Sequence, residues 1–462
     1  MEGQTYSAPQ TWGASSRVGF YPWCVVIVLT LAGTVSFIDR QILGMMVGPI
    51  RRDLGISDTQ MGLLMGLPFA ILYGLASLPM ARLADRYVRK SIAAAGVFAW
   101  SLMTALSGLA GNYNQLFLAR MGVGIGEATL SPAAFSMLTD YFPKKRLALA
   151  TAIFASAPFL GNGLANILGG VVVESLESVP RITLPVLGDV RSWQVTFFLV
   201  GIPGLVLAGI VYLLREPIRR GFSGTFDMSD GAVPITAVLG FVRDRGSLFA
   251  LHFAALLCFS VVGFGLFAWM PEFLIRVHGM ARSQVGLIFG ATQIVFGLAG
   301  ASFAGWLVAA LMQRGHSDAN LKVMILAALG LIPCAAATLL LSDTDLVLVA
   351  LLPLTFGMAM PTGPATATLQ IIAPNEIRAQ IVAIYLLVVS TLSYILGPFL
   401  TGFMSDTFFT GDTGIRYSLW TIALITYPLA ALFLLMGLRP YKRAMVTAEA
   451  WDQENIEDDL HA

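Results

Sequence analysis

The chain carries a series of apolar runs, each long enough to cross a bilayer, that recur along almost its whole length. The runs lie near residues 21–50, 58–82, 91–110, 113–140, 147–173, 193–214, 248–276, 283–312, 321–341, 344–372, 378–405 and 416–438. Crossing the hydrocarbon core takes about 20 apolar residues in a helix, whereas a β-barrel would show short segments of alternating polarity. The charged share of 12% is about half of the roughly 25% that is usual in soluble domains. The pattern therefore predicts an all-α membrane protein with twelve transmembrane helices.

The two halves of this series resemble each other. Gln60-Met-Gly-Leu-Leu-Met-Gly66 in the second run matches Gln284-Val-Gly-Leu-Ile-Phe-Gly290 in the eighth. Parallel repeats with a binding site between them, near the midplane, are typical of secondary transporters. We therefore predict two six-helix bundles. The expected divisions are an N-terminal tail at 1–20, a first bundle at 21–214, a central loop at 215–247, a second bundle at 248–438 and an acidic tail at 439–462.

The distribution of basic residues predicts the orientation. Most of the 28 Lys and Arg residues fall in the tails and loops of one side, which the positive-inside rule makes cytoplasmic. Both termini and the central loop are then cytoplasmic. The first run lacks a cleavage signature after it, so we expect it to be retained. The absence of Asn-x-Ser/Thr sequons, together with short loops, favours a bacterial inner membrane.

Composition argues against several other classes of protein. A net charge of +1 gives no indication of nucleic-acid binding. The three cysteines (Cys24, Cys258 and Cys334) all lie in apolar runs, so no disulfide framework is expected. The four histidines are scattered without metal-ligand spacing, and no phosphate-binding or nucleophile motif occurs. We expect no metal and no cofactor.

Charged side chains inside the apolar runs are the main candidates for a functional site. Asp39 and Arg40 lie in the first run, and Arg120 and Glu127 lie in the fourth. A charge at such depth costs at least a few kcal/mol and usually marks a pathway, although these residues could simply tie helices together. Helical rise places all four in one layer, and adjacent residues of a helix face different neighbours. We predict that Asp39 and Glu127 carry protons, and that protonation frees Arg40 or Arg120 for a substrate anion.

The loop after the second run holds Asp85-Arg86-Tyr-Val-Arg89-Lys90. This order resembles the signature loop of the major facilitator superfamily, with departures at Ala81 and Val88, where the general pattern has glycine. Asp85, Arg86, Arg89 and Lys90 are then expected to form a cytoplasmic gate. The corresponding loop of the second half lacks the Asp-Arg pair, so the gate should be asymmetric.

Several motifs together resemble the Spinster family of that superfamily, over roughly residues 20–172. They are Ile38-Asp39-Arg40, the signature loop, Arg120-x-x-x-Gly124-x-Gly126-Glu127-Ala128 and Ala157-Pro-Phe-Leu-Gly161-Asn-Gly163. The resemblance implies a transporter of lysolipids or sphingolipid derivatives, coupled to protons. It also implies cavity roles for Asp39, Arg40 and Glu127.

The second half has no mid-span charge in the positions that match Asp39 and Glu127. Its first span is instead aromatic, with Phe264 and Trp269 among its residues. A polar first half that faces an apolar second half would suit an amphiphile. Asn162 and Gln293 lie within spans and are further candidates to line the cavity, although helix-to-helix hydrogen bonding would serve them equally well.

The sequence thus predicts a transporter and not an enzyme, since His, Ser and Asp side chains do not converge near one interface. The expected substrate is an amphipathic anion or zwitterion such as a lysophospholipid, moved by alternating access with protons. The alternative is a small organic anion or a drug in the same fold. The expected partners are this substrate, protons and membrane lipid, with a monomer as the assembly and no nucleic acid.

Overall fold

In a computed structural model of the chain, the residues described are 19–177, 181–184, 188–219, 234–374 and 377–461. They are almost entirely helical. Within these described residues, eleven helical segments are long and apolar enough to cross a membrane. The fourth predicted run is divided into two shorter helices around Ala128 and Thr129. It is therefore not among the eleven, and the number twelve stays a prediction.

Apart from α10, which lies in the predicted central loop, and the part of α19 beyond residue 438, the helices follow the predicted runs. Those before residue 220 are α1 (Phe20–Met45), α2 (Val47–Leu54), α3 (Asp58–Arg86), α4 (Arg89–Ser107), α5 (Tyr113–Glu127), α6 (Leu130–Tyr141), α7 (Lys144–Ala155), α8 (Ala157–Glu177) and α9 (Ser192–Leu213). Those after residue 233 are α10 (Ile235–Asp244), α11 (Gly246–His278), α12 (Arg282–Thr292), α13 (Leu298–Gln313), α14 (Ala319–Leu340), α15 (Thr344–Ala359), α16 (Thr362–Ile371), α17 (Arg378–Tyr385), α18 (Thr391–Thr407) and α19 (Gly414–His461). Single π-helical turns, Gln293–Gly297 and Leu386–Ser390, join α12 to α13 and α17 to α18. We call α1–α9 the first half and α11–α19 the second half.

Polar caps define where several helices begin. Ser57 accepts a hydrogen bond from the backbone of Gln60 at 3.2 Å, and the Gln60 side chain accepts one from the Ser57 backbone at 3.0 Å. This reciprocal pair satisfies two of the backbone donors that the start of α3 would otherwise leave free. Asn112 caps α5 and Asp343 caps α15. Each of these side chains accepts one hydrogen bond from a backbone N–H, at 3.0 Å.

A short hairpin lies between α8 and α9. Strands β1 (Arg181–Leu184) and β2 (Gly188–Arg191) pair antiparallel, with Ile182 opposite Val190. Gly188 has a φ of +70°, a conformation that glycine adopts without steric cost, and β-branched residues such as Ile182 and Val190 favour strands. The expectation of an all-α chain is therefore wrong for this one loop.

The two halves touch through matching glycine pairs. Gly62 and Gly66 of α3 lie against the backbone of α18, and Gly286 and Gly290 of α12 lie against the backbone of α8. A Cβ atom at any of these four positions would collide with backbone of the opposite half. The two similar sequence motifs thus occupy equivalent contacts, one in each direction across the interface.

Polar contacts between the halves gather at one end of the bundle, here called the outer end because the basic residues predict that it faces away from the cytoplasm. Arg276 of α11 is paired with Asp58 of α3, and Ser405 of α18 donates to the same carboxylate at 3.0 Å. The carboxylate of Asp406 accepts the backbone N–H of Thr59 at 2.6 Å. A second-half side chain therefore caps a first-half helix, and the halves are closed together at the outer end.

Candidate functional site

Two ion pairs join α1 to α5 at the centre of the first half. Arg120 donates from Nη1 to Oδ1 of Asp39 at 2.7 Å, and from Nη2 to the Asp39 carbonyl at 3.2 Å. Arg40 is paired with Glu127, whose carboxylate also accepts the Ser36 hydroxyl at 2.6 Å. The adjacent residues Asp39 and Arg40 therefore face different partners, as the helical geometry predicts.

The pair of Asp39 and Arg120 is completely enclosed by protein. The side chains are 1% and 2% exposed, and Thr104 of α4 donates its hydroxyl to the Asp39 carboxylate. Gly124, one turn after Arg120, lies against the backbone of Phe69 and lets α5 approach α3 closely. Because both charges are matched and out of contact with solvent, this pair holds α1, α4 and α5 in a fixed arrangement.

The pair of Arg40 and Glu127 is more accessible, since the Arg40 side chain keeps 15% of its surface exposed. Its guanidinium lies over the rings of Phe69, Phe37 and Tyr73, with centroid distances of 4.3, 4.7 and 5.0 Å. Cation–π contacts contribute about 0.5–2 kcal/mol each, depending on how far the cation is desolvated. Arg40 is thus held by aromatic faces as well as by a carboxylate.

Glu127 leaves one oxygen unused. Its Oε1 is buried and has no hydrogen-bond partner among the residues that the structure describes, while the other oxygen accepts from both Ser36 and Arg40. A buried acceptor without a donor is costly, so this oxygen is a natural position for a proton or for a donor group of a ligand.

Arg40 lines a small cavity of about 20 Å³ that lies between the halves. Its walls come from Gln41 and Met65 of the first half and from Phe264 and Tyr394 of the second. The position agrees with the expectation of a site at the interface of two repeats. Sequence reasoning missed Tyr394 because no local pattern distinguishes it from other span aromatics. Phe69 and Tyr73 could have been found, since they lie one turn apart on α3.

A larger cavity of about 170 Å³ lies beside it, entirely within the second half. Most of its lining is apolar, including Phe259, Leu331 and Met358. The lining residues that carry hydroxyl groups are Ser260, Thr362, Tyr385 and Tyr427. Phe264, which the sequence nominates for substrate binding, lines both cavities.

Four of the predicted substrate-binding residues line neither of these two cavities: Arg120, described above, and Trp269, Asn162 and Gln293. Trp269 is fully buried and donates its indole N–H to the carbonyl of Pro398 at 3.0 Å. The carbonyl of Asn162 accepts from a neighbouring side chain on its own helix at 2.8 Å. Gln293, in the first π-helical turn, is 2% exposed, and its amide has no partner within the described parts of the chain. Substrate contacts by these residues stay predictions.

The signature loop is organised around Arg89. This side chain is 2% exposed, pairs with Asp140 and with Glu216 at 2.8 Å, and donates to the Pro217 carbonyl at 3.0 Å. The Lys90 backbone N–H also donates to Glu216, at 3.0 Å. Arg86 is exposed, and the side chain of Asp85 lies outside the described part of the chain. Arg89 thus ties α4 to α6 and to the segment after α9. The gate role of the loop stays a prediction.

A family model described as the Major Facilitator Superfamily matches residues 29–398. This chain belongs to the major facilitator superfamily. The family consists of transporters, which agrees with the eleven membrane-length helices and with a site between two halves. As a facilitator, the protein is a multi-pass membrane protein, and transport is its general activity.

Relatives within the superfamily differ in what they carry. The chain is 29% identical over 395 residues to an MFS-type efflux pump of Mycolicibacterium smegmatis, with 85% of this chain and 86% of that protein covered. It is 28% identical over 356 residues to a probable L-galactonate transporter of Escherichia coli, with 75% and 74% covered.

Among solved structures, the facilitator resembles a bacterial homologue of the human lysosomal transporter Spinster, captured in an inward-facing and unoccupied conformation. The TM-score is 0.77 at 27% identity, with 92% of this chain and 98% of that chain covered. The similarity to the Spinster family that the first half of the sequence indicates therefore extends over nearly the whole fold.

Proposed function

We propose that this facilitator moves a single-chain amphiphile with an anionic or zwitterionic headgroup, such as a lysophospholipid, by alternating access coupled to protons. The bacterial inner membrane is the proposed location. The observation that carries the proposal is the junction at Phe264, where a cavity containing Arg40 adjoins an apolar cavity of the second half. One cavity offers a cation and the other offers apolar surface, which are the two requirements of an amphiphile.

The headgroup would bind at Arg40. Its guanidinium presents several N–H donors in one plane, which suits the oxygens of a phosphate or a carboxylate. In the structure this guanidinium is already paired with the carboxylate of Glu127. A substrate anion must therefore compete with Glu127, and protonation of Glu127 removes the competitor. Coupling follows because a protonated Glu127 and an anion-bound Arg40 stabilise each other.

Asp39 has a different part in the same scheme. Arg120 and Thr104 hold its carboxylate in a solvent-excluded contact. We infer that Asp39 keeps α1 and α5 in register so that Arg40 and Glu127 can meet. The sequence alone suggests that Asp39 also carries a proton. In that role, protonation of Asp39 would leave Arg120 unpaired or free to bind another anion.

A small sugar acid is the second candidate. The E. coli relative is described as a probable L-galactonate transporter, and such a carboxylate would also bind Arg40. A sugar acid carries several hydroxyl groups that each need a partner, and leaving them unpaired is costly. Four residues that line the second-half cavity carry hydroxyl groups, and the rest of its lining is apolar. This favours the amphiphile.

The deciding experiment measures equilibrium binding to the purified protein in detergent, with a palmitoyl lysophosphatidic acid and L-galactonate as the two ligands. We expect saturable binding of the lysolipid that weakens at least tenfold in Arg40→Gln. Phe399→Ala serves as a control, because Phe399 stacks on Phe403 and lines neither cavity. Saturable binding of galactonate without binding of the lysolipid would overturn the proposal in favour of the second candidate.

A further inference from the structure

The two cavities of the site meet at a shared wall. Phe264 and Phe267, one turn apart on α11, line both of them. Arg40 lines only the small cavity, and apolar residues such as Leu331 and Met358 line only the large one. The rings of these two phenylalanines therefore stand between the place for a charge and the place for a hydrocarbon chain.

The two rings are not held equally. Phe267 is anchored through its backbone, because its carbonyl accepts the side-chain amide of Gln41 from α1. Phe264 is held by ring contacts, chiefly an edge-to-face contact with Tyr394 at a centroid distance of 4.9 Å and an interplanar angle of 65°. A Cβ atom added at Gly263, beside it on the helix, would lie 4.0 Å from the end of the Met358 side chain. The position of the Phe264 ring therefore depends on its contact with Tyr394, and a change of the Phe264 rotamer would move this part of the wall.

Tyr394 connects this wall to the charged side of the site. Its ring packs on Phe69 at 5.3 Å, and Phe69 carries the guanidinium of Arg40 on its face. The series Arg40, Phe69, Tyr394, Phe264 runs without a gap from the first half into the second. Tyr394 is a positioning residue here, because it sets where the Phe264 ring stands.

The volume of the large cavity shows why the position of Phe264 matters for the length of a bound chain. The large cavity, at about 170 Å³, is only slightly bigger than the roughly 150 Å³ cavity in which benzene binds. A long acyl chain with its headgroup at Arg40 would reach this space past Phe264, which lines both cavities.

We propose that Phe264, positioned by Tyr394, is a partition between headgroup and tail cavities that sets the tail-length preference of the transporter. The inference rests on the proposed function and names the part of the site that selects among single-chain amphiphiles. Chains that displace Phe264 gain the apolar surface of the second half, whereas shorter chains do not.

The test compares the binding of hexanoyl and palmitoyl lysophosphatidic acid to purified wild-type protein and variants. In Phe264→Ala we expect the ratio of the hexanoyl Kd to the palmitoyl Kd to rise about tenfold, because the long chain no longer has to displace a ring. Phe259→Ala is the matched control. Phe259 lines only the large cavity, so its loss removes apolar surface from that cavity without opening the partition, and the ratio should not rise.

Tyr394→Ala should shift the ratio in the same direction as Phe264→Ala, whereas Tyr394→Phe, which keeps the ring contact, should not. If Phe264→Ala does not fold, Phe264→Leu and Tyr394→Ala carry the test. A ratio that is unchanged in these variants, or that moves equally in Phe259→Ala, overturns the partition. If the wild-type protein binds no member of the series, the proposed function fails instead.

Discussion

The carboxylate of Asp58 accepts two hydrogen bonds from the guanidinium of Arg276, at 2.9 and 3.3 Å, and this pair spans the two halves of the molecule. Both residues are largely buried, with side-chain exposures of 5% and 13%. Arg51 donates a further contact to Asp58 at 3.0 Å, and Glu272 pairs with Arg276 at 3.0 Å. A network of this kind exists only while the outer end is closed.

Asp58→Asn should therefore favour the state that is open at the outer end. Removing one partner of a buried pair costs about 3–5 kcal/mol, and here the cost falls on the closed state alone. We expect a longer distance distribution between spin labels at the exposed positions Asn114 and Asp412, measured by double electron–electron resonance. Asp345→Asn, an exposed carboxylate at the same end, is the control. Identical distributions in the two variants would contradict a latch at Asp58.

Glu127→Gln should uncouple transport from protons. The glutamine is close in shape to a protonated glutamate and leaves Arg40 available to the substrate. In proteoliposomes, we expect counterflow exchange of substrate to continue while uptake driven by a pH gradient is lost. Gradient-driven uptake at the wild-type rate would show that Glu127 is not the coupling site.

Asp39→Asn should behave differently from Glu127→Gln. It leaves Arg120 charged and enclosed, 2% exposed, without its carboxylate. Because an uncompensated buried charge costs about 3–5 kcal/mol, we expect a marked fall in the temperature of thermal unfolding in detergent. Glu127→Gln should change this temperature less. Similar falls in both variants would argue against separate structural and coupling roles.

The signature loop offers a matched pair of arginines. Arg89→Gln removes the buried hub that contacts Asp140, Glu216 and Pro217, so we expect a lower unfolding temperature and reduced yield of folded protein. Arg86→Gln alters an exposed side chain and should leave stability within about 0.5 kcal/mol of the wild-type value. Equal effects of the two substitutions would mean that Arg89 is not the anchor of the loop.

Gly290→Ala should force the halves apart where α12 meets α8. The new methyl group would collide with the Gly163 carbonyl and with Ile167 of the opposite half. Overpacking of this kind costs about 1–3 kcal/mol in the closed state. The same spin-label pair should report more of the open outer state. Gly330→Ala is the control, since nothing lies near its Cβ position. A shift in Gly330→Ala as large as in Gly290→Ala would exclude a steric cause.

Much of the architecture could be predicted from the sequence. Membrane helices are local, because each must satisfy its own backbone hydrogen bonds and meet lipid with apolar side chains, so hydropathy alone predicts their positions. The exceptions are local as well. The strands Arg181–Leu184 and Gly188–Arg191 are too short to appear as an apolar run. The fourth apolar run is divided into two helices near Ala128. The charges at Asp39, Arg40, Arg120 and Glu127 were evident because charged residues are rare in apolar runs.

The sequence by itself thus determined the spans, the family and the four charges of the central layer. Only the tertiary structure decided how those charges pair, with Arg120 on Asp39 in the interior and Arg40 on Glu127 beside a cavity. It also decided that Trp269 packs inside the second half while Phe264 lines the cavities. The reason is physical. Hydropathy depends on each side chain and its neighbours along one helix, whereas pairing and cavity position depend on which helices of two halves come into contact.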